Sequence, residues 1–152
     1  MTHLQTLSKS ERLKSYKRIR ILFAQGQKFK VFPLVVYFLL RDENVEGGLE
    51  RLREVNPVEG VEEVEVVEGV LQMGVSVGKR HFKRAVDRNL LKRRIREAYR
   101  KQKLDLKEIL STSGISIDIF FVYSNARISD YAEIETAVAS ALAILQDKFK
   151  SN

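Results

Sequence analysis

Apolar residues recur along this chain with two periods, and the switches between them mark out helices and strands. In YKRIRILFAQ, Tyr16, Ile19, Leu22 and Phe23 fall three and four apart, which gives a helix one apolar face. Ser15 before this run predicts an N-cap and Gly26 after it a helix stop. Ser8 with Glu11 forms a rival capping box that would start a helix earlier. VFPLVVYFLL, residues 31–40, is β-branched and aromatic on both faces, so it predicts a strand covered on both sides. Pro33 places the start of that strand at an edge or ahead of regular pairing. LQMGVSVGK, residues 71–79, alternates Leu71, Met73, Val75 and Val77 with small or polar residues, a strand with one packed face. ISIDIFFVY, residues 115–123, predicts another strand. Ser129 then reads as the N-cap of a last helix, whose Tyr131, Ile134, Val138, Ala141, Leu142, Leu145 and Phe149 form one long stripe.

Between residues 42 and 69 the pattern dissolves into acids punctuated by Gly47, Gly48, Pro57, Gly60 and Gly69, a long connection. Glu62, Glu63, Glu65 and Glu68 within it alternate loosely with valines. They read better as the wet face of a strand or hairpin arm than as a metal cluster. The element order is then α-β-β-β-α-β-α. The fold class this predicts is α/β (α+β): one domain over residues 1–152, its helices packed on a small mixed sheet.

The chain's 152 residues suffice for one core, and 44% of them are hydrophobic, an ordinary globular share. Cysteine is absent, which excludes disulfides, thiolate metal sites and cysteine nucleophiles and suits a reducing, cytoplasmic setting. No apolar run reaches the roughly 18 residues of a membrane span, and the basic N-terminal stretch lacks the apolar segment of a secretory signal. The net charge of +7 is unevenly spread. Residues 42–68 carry ten acids against two bases, whereas residues 79–103 carry twelve bases against two acids. Segregation of this kind within one small domain points to a polyanionic partner. A membrane is the poorer partner, because the basic stretch has no wide apolar face flanked by Trp or Phe.

The basic stretch AVDRNLLKRRIREAYR is itself helical in pattern. On a wheel at about 100° per residue, Arg88, Asn89, Lys92, Arg93, Arg96 and Arg100 share one arc. Leu90, Leu91, Ile95 and Ala98 take the opposite side, and only Arg94 breaks the separation. Like charges four apart repel by a few tenths of a kcal/mol per pair, a cost that a phosphate backbone along the helix removes. Lys79, Arg80, Lys83 and Arg84 extend the patch into the preceding loop. A DNA-recognition helix would mix base-reading side chains into such an arc; here Asn89 is the one exception to phosphate readers. Folded RNA, recognised by shape, fits better, and DNA is not the expected partner.

The run GVSVGKR…AVDRN followed by Lys92, Arg93 and Arg96 resembles the protein subunit of bacterial ribonuclease P, whose signature helix has Arg-Asn-Arg, then Lys-Arg and Arg. RLKS, the helix ending FAQG, the strand ending VVYFLL and ISDYAEIETAV are similar to that family's other segments, so the likeness spans about residues 12–145 outside the acidic connection. It implies a left-handed βαβ connection around the signature helix, against the usual right-handed rule. It also implies an accessory role in an endoribonuclease. A catalytic RNA with bound Mg²⁺ hydrolyses the 5′ leader from precursor tRNA, while the protein binds that RNA and holds the single-stranded leader. The protein itself then needs no cofactor or metal, and no catalytic residue. Its RNA contacts would be Lys79, Arg80, Arg88, Asn89, Lys92, Arg93, Arg96 and Arg100. Phe23 and Tyr37 occupy positions the family uses for the leader, although either also suits a core. Lys17 and Arg20, on the same helix as Phe23, are added on charge alone.

The residues are independently compatible with that division of labour. There are two histidines, His3 and His81, and no Ser/His/Asp arrangement or phosphate-cradling GxxxxGKS loop. The acids, which a protein-only metal nuclease would use, are concentrated away from the basic patch. A ribosomal or other structural RNA-binding protein would share the basic helix and stays open at this point. Three departures from the family pattern stand out. Leu90 replaces the third signature residue, an arginine. The loop GKRHFKRAVD is one residue longer and lacks a usual glycine. The acidic connection is some twenty residues longer than the resemblance leads one to expect, and its charge predicts a mobile, dispensable segment that keeps off RNA.

Overall fold

The computed structural model describes residues 7–41 and 71–150. The acidic connection at 42–69, with its possible strand at 61–68, lies outside them, as does His3. Both rival N-caps form. Ser8 and Glu11 close a capping box around a 3₁₀ turn, Lys9–Glu11, and Ser15 Oγ accepts from the Arg18 amide at 3.3 Å to start helix α1, Tyr16–Gln25. The helix stops where expected, the Gly26 amide donating to Leu22 O at 2.8 Å.

The next segment departs from the sequence expectation. The run read as one strand over 31–40 is the second half of a hairpin, β1 Gln27–Val31 and β2 Leu34–Leu40, turned by Phe32 and Pro33 across a cis peptide bond. Pro33 has no amide to give a ladder, so the pairing breaks there. β1 went unseen because Lys28 and Lys30 alternate with Phe29 and Val31 too briefly to register as a strand. β3 is Leu71–Val77, the long basic helix α2 is Ala85–Ser113, β4 is Ile117–Tyr123, and α3 is Tyr131–Lys150. The order α-β-β-β-α-β-α holds, with β1, rather than anything in the acidic connection, as its first strand among the described residues.

The sheet runs β1-β2-β4-β3. β2 pairs antiparallel with both β1 and β4, and β3 pairs parallel with β4, so the sheet is mixed and α2 is the crossover between its parallel strands. Alternation within each strand gives the two faces different covers. Leu34, Val36, Phe38, Ile117, Ile119 and Phe121 point to the face sealed by α2 and α3. The stripe foreseen on α3 is buried there from Ile134 to Phe149, with Tyr131 half-buried at its start. The N-cap of α3 is Asp130, whose Oδ1 accepts from the Glu133 amide at 2.9 Å, not Ser129. Ser129 is instead buried, bonded to the Tyr123 hydroxyl through its amide at 2.8 Å and to Glu133 through its hydroxyl at 2.7 Å.

Among the described residues the opposite face carries α1 and the N-terminal segment. The stripe Tyr16, Ile19, Leu22, Phe23 is not one packed face as expected: Leu22 alone is buried, Ile19 is half-buried, and Tyr16 and Phe23 are exposed. A ten-residue helix across a sheet touches it over about two turns, so its first turn and one flank stay wet. The angle of α1 is held by Asp118 of β4, buried at 3% exposure, whose carboxylate takes Arg18 at 2.9 Å and Arg41 at 2.8 Å.

The N-terminal segment is tied across the molecule. The Leu13 amide donates to Met73 O at 2.7 Å, a bridge on the edge of β3, and Glu11 pairs with Lys103 of α2, which is fully buried. Burial alone would raise the Glu11 carboxyl. The hydrogen bond and charge of Lys103, with the charge of Lys107 behind them, outweigh it and hold the pKa below its ordinary 4.5. Two outcomes follow. Lys103→Ala strips Glu11 of its main partner and is expected to cost about 3–5 kcal/mol in urea unfolding at neutral pH. Because the folded pKa of Glu11 is the depressed one, its contribution is complete above the ordinary carboxyl range and is lost as pH falls through the folded value. The urea midpoint should therefore drop as pH falls below the ordinary carboxyl range, and drop less in Glu11→Gln.

Candidate nucleic-acid interface

Helix α2 runs 29 residues, about 44 Å at 1.5 Å per residue, well beyond the stretch that drew attention in the sequence. Leu91, Ile95, Ala98 and Tyr99 on its first half are fully buried. Anchoring those four leaves the helix no freedom to roll, so the opposite arc faces outward as the wheel predicts. Asn89 and Arg93 are exposed there, with Arg88, Lys92, Arg96 and Arg100 half-buried along the same arc. Lys79 and Arg80 are exposed on the turn that leads in.

The cations on this arc are not equivalent. Arg88 Nη1 donates to the carbonyls of Phe82 and Lys83, each at 2.8 Å, so this side chain also fastens the loop before α2 to the helix. Arg100 is engaged by Glu97, one turn earlier, through two bonds of 2.6 and 3.1 Å. The Arg100 hydrogen bond outweighs burial and lowers the Glu97 carboxyl below the usual carboxylate range, keeping the neutralising charge in place. Arg84 is paired with Asp87 at 2.9 Å. Arg94, the exception on the wheel, reaches the other way and donates to Ser129 O at 2.6 Å, joining α2 to the start of α3. Among the described residues Lys92, Arg93 and Arg96 have no acidic partner within 4 Å. Leu90, where the resemblance leads one to expect arginine, is half-buried in a shallow depression with Arg93, Arg94, Glu97 and Tyr131.

A second surface lies on the sheet's open face. Register places Lys28 beside Tyr37, Tyr37 beside Phe120, and Phe120 beside Gly74, one row across all four strands. Phe23 descends on this row from α1, its ring 4.6 Å from Tyr37 and 5.0 Å from Phe120, both edge-on. The Lys28 ammonium lies 6.0 Å from the centre of the Tyr37 ring. Gly74 makes this packing possible: a Cβ there would come within 2.6 Å of the Phe120 ring. Two of the four residues picked from sequence for this region, Phe23 and Tyr37, thus meet. Lys17 and Arg20 do not join them. Both are exposed on the solvent side of α1, and Arg20 instead lies over the Tyr16 ring, 5.8 Å from its centre.

Sequence reasoning missed Phe120, Lys28 and Arg12. Phe120 read as ordinary strand core, and Lys28 belonged to a strand that was not seen. Arg12, exposed beside the β3 edge, lines a groove with Arg96, Gly74, Ile19 and Phe120, which joins the aromatic row to the basic helix. Burial lowers the Arg96 pKa from its usual value, and the nearby charge of Arg12 lowers it further. The one advance signal for Arg12 is the RLKS segment. Among the described residues no three His, Cys, Asp or Glu side chains converge as a metal site, and no helix is long and apolar enough to cross a membrane.

The chain is similar to known proteins along most of its length. The model of the Ribonuclease P family matches residues 7–146. The ribonuclease P protein component of Porphyromonas gingivalis, in each of two strains, is 34% identical over 136 residues, which is 90% of this chain and 83% of the relative. Among solved structures, the RNase P protein of Staphylococcus aureus superposes with a TM-score of 0.57 at 20% identity, covering 90% of this chain and 95% of that one. A mutant of the same protein, described as defective in mRNA degradation activity, gives 0.61 at 20% identity over 96% and 97%. Those structures speak for the fold. With a family match over nearly the whole chain and a relative this similar over most of its length, the protein belongs to the ribonuclease P family, as its protein component.

Proposed function

We propose that this ribonuclease P subunit serves 5′ leader removal through two surfaces joined by one groove, the outward arc of α2 for the catalytic RNA and the aromatic row for the leader. The observation that carries the reading is the orientation of α2. Buried Leu91, Ile95, Ala98 and Tyr99 turn its cations outward, with Asp87 and Glu97 the two acids on this half of the helix. Lys79, Arg80, Arg88, Asn89, Lys92, Arg93 and Arg96 would contact RNA phosphates or sugars, with Arg100 contributing less while Glu97 holds it. Phe23, Tyr37 and Phe120 would give stacking surface to leader bases, with Lys28 near the backbone. Lys17 and Arg20 lie further out, where a longer leader would pass. Hydrolysis belongs to the RNA and its Mg²⁺; the protein's side chains bind and position.

The decisive experiment is cleavage of a precursor tRNA by a ribonuclease P RNA at low Mg²⁺, with and without the protein. Restored cleavage supports the reading, and no effect would leave only a structural RNA-binding role. Within the complex, Lys92→Ala and Arg93→Ala should each weaken RNA binding and flatten its dependence on log salt by about 0.7–0.9. Glu97→Gln removes the one carboxylate charge that offsets Arg100 on this arc and should tighten binding a few-fold, roughly what one added phosphate contact contributes.

The leader surface has its own readout. Phe23→Ala and Tyr37→Ala should each cost about 1–3 kcal/mol in affinity for precursor tRNA, with no change for tRNA lacking a leader. Gly74→Val drives a side chain into the Phe120 ring. It should lower leader-dependent affinity while the affinity for mature tRNA is kept; loss of both together would mean a misfolded sheet rather than a blocked row.

A further inference from the structure

Arg12 is held in place from both sides, yet its side chain is exposed. Before it, Glu11 is clasped by the buried Lys103 and lies 3.8 Å from Lys107. After it, Leu13 is buried against Leu22 and Phe120 and bonds Met73 through its amide. Arg12 lines the same hollows as Arg96 of α2. A cavity of about 430 Å³ is lined by these two with Arg93, Arg100, Glu97 and Leu7. Its single acid, Glu97, is already engaged by Arg100. A second cavity, of about 210 Å³, shares Arg12 and Arg96 and opens on Phe120. Among the described residues neither arginine has an acidic partner within 4 Å. Cations held together without an acid between them repel, and an anion placed there relieves the repulsion. The planar forks of two guanidinium groups match the oxygens of a phosphate, whose tetrahedral arrangement lets it accept from both at once.

We propose that Arg12 and Arg96 form a two-arginine clamp for a single RNA phosphodiester, at the passage between the aromatic row and the basic helix, and that the Glu11–Lys103 pair positions it. The inference rests on the RNA-binding reading above and adds a residue from outside the helix. The phosphate belongs either to the leader on its way out of the aromatic row or to the catalytic RNA along α2. The chemistry is the same for both, and the test separates them.

The test measures salt-dependent affinity of the full chain for the ribonuclease P RNA, and of the assembled holoenzyme for precursor tRNA with and without a leader. Arg12→Ala should weaken one of these roughly tenfold and flatten its salt slope by about 0.7–0.9. A loss confined to leader-bearing precursor assigns the phosphate to the leader; a loss in binding the ribonuclease P RNA assigns it to that RNA. Arg12→Lys should recover only part of the loss, because an ammonium lacks the fork. Free Arg12→Ala should melt no lower than the parent, since it loses repulsion and no partner. Glu11→Gln should reproduce part of the binding loss and add little on top of Arg12→Ala; full additivity would remove the positioning role. Unchanged affinity in every arm, with Lys92→Ala still effective, would overturn the clamp alone. If Lys92→Ala and Arg93→Ala were also silent, the RNA-binding reading itself would fall. A binding loss matched by a several-degree drop in melting temperature would make Arg12 structural and also overturn the clamp.

Discussion

The azimuth of helix α2 governs everything else on this molecule. Four side chains in its first half, Leu91, Ile95, Ala98 and Tyr99, are completely removed from water against the sheet and α3. Burying residues of this size is worth about 1.5–3 kcal/mol for each large side chain, far more than the mutual repulsion of the cations on the other side. The core therefore wins, and the charges are forced into one outward arc whether or not anything is there to meet them. The interior sets the electrostatic surface by choosing which residues it takes.

The same logic makes the two faces of the sheet unlike. One face is sealed by two long helices; among the described residues the other carries a ten-residue helix and a short N-terminal strap. Asp118, placed on this second face by the strand's alternation, draws in Arg18 and Arg41 and so fixes α1 at a definite angle. Its open flank leaves Phe23 and Tyr37 partly wet beside Phe120. Gly74 makes room for this aromatic row by contributing no side chain at the point where Phe120 lies. The strap that carries Arg12 then links the row to the arc on α2.

Much of this was legible in residue order because it is local. Ser15 capped a helix as read, the α3 stripe packed as read, and the separation of charge from apolar residues on α2 came straight from its period. The misreadings are equally specific. Phe32 and Pro33 turned a presumed single strand into a hairpin, since an apolar run says nothing about where it reverses. Ser129 and Asp130 are both good caps, and the choice fell to Asp130 because Tyr123 and Glu133 had already claimed Ser129. Tyr16 and Phe23 look like core by spacing, yet Tyr16 stays exposed on the first turn of α1, and Phe23 keeps one flank wet while its ring meets Tyr37 and Phe120.

By itself the sequence determined what depends on neighbours within a turn or two of chain: which segments are helices and strands, which side of α2 is charged, and how strongly positive that side is. Only the tertiary structure decided what depends on partners far apart in sequence. Glu11 meets Lys103 across 92 positions and Arg18 meets Asp118 across 100, and no local pattern encodes either pairing. The company each cation keeps is of the same kind. Arg94 serves the start of α3 and Arg88 its own loop, while Arg12 stands beside Arg96. Side chains of one type acquire different roles because the fold, through what it buries, distributes the acids and carbonyls around them.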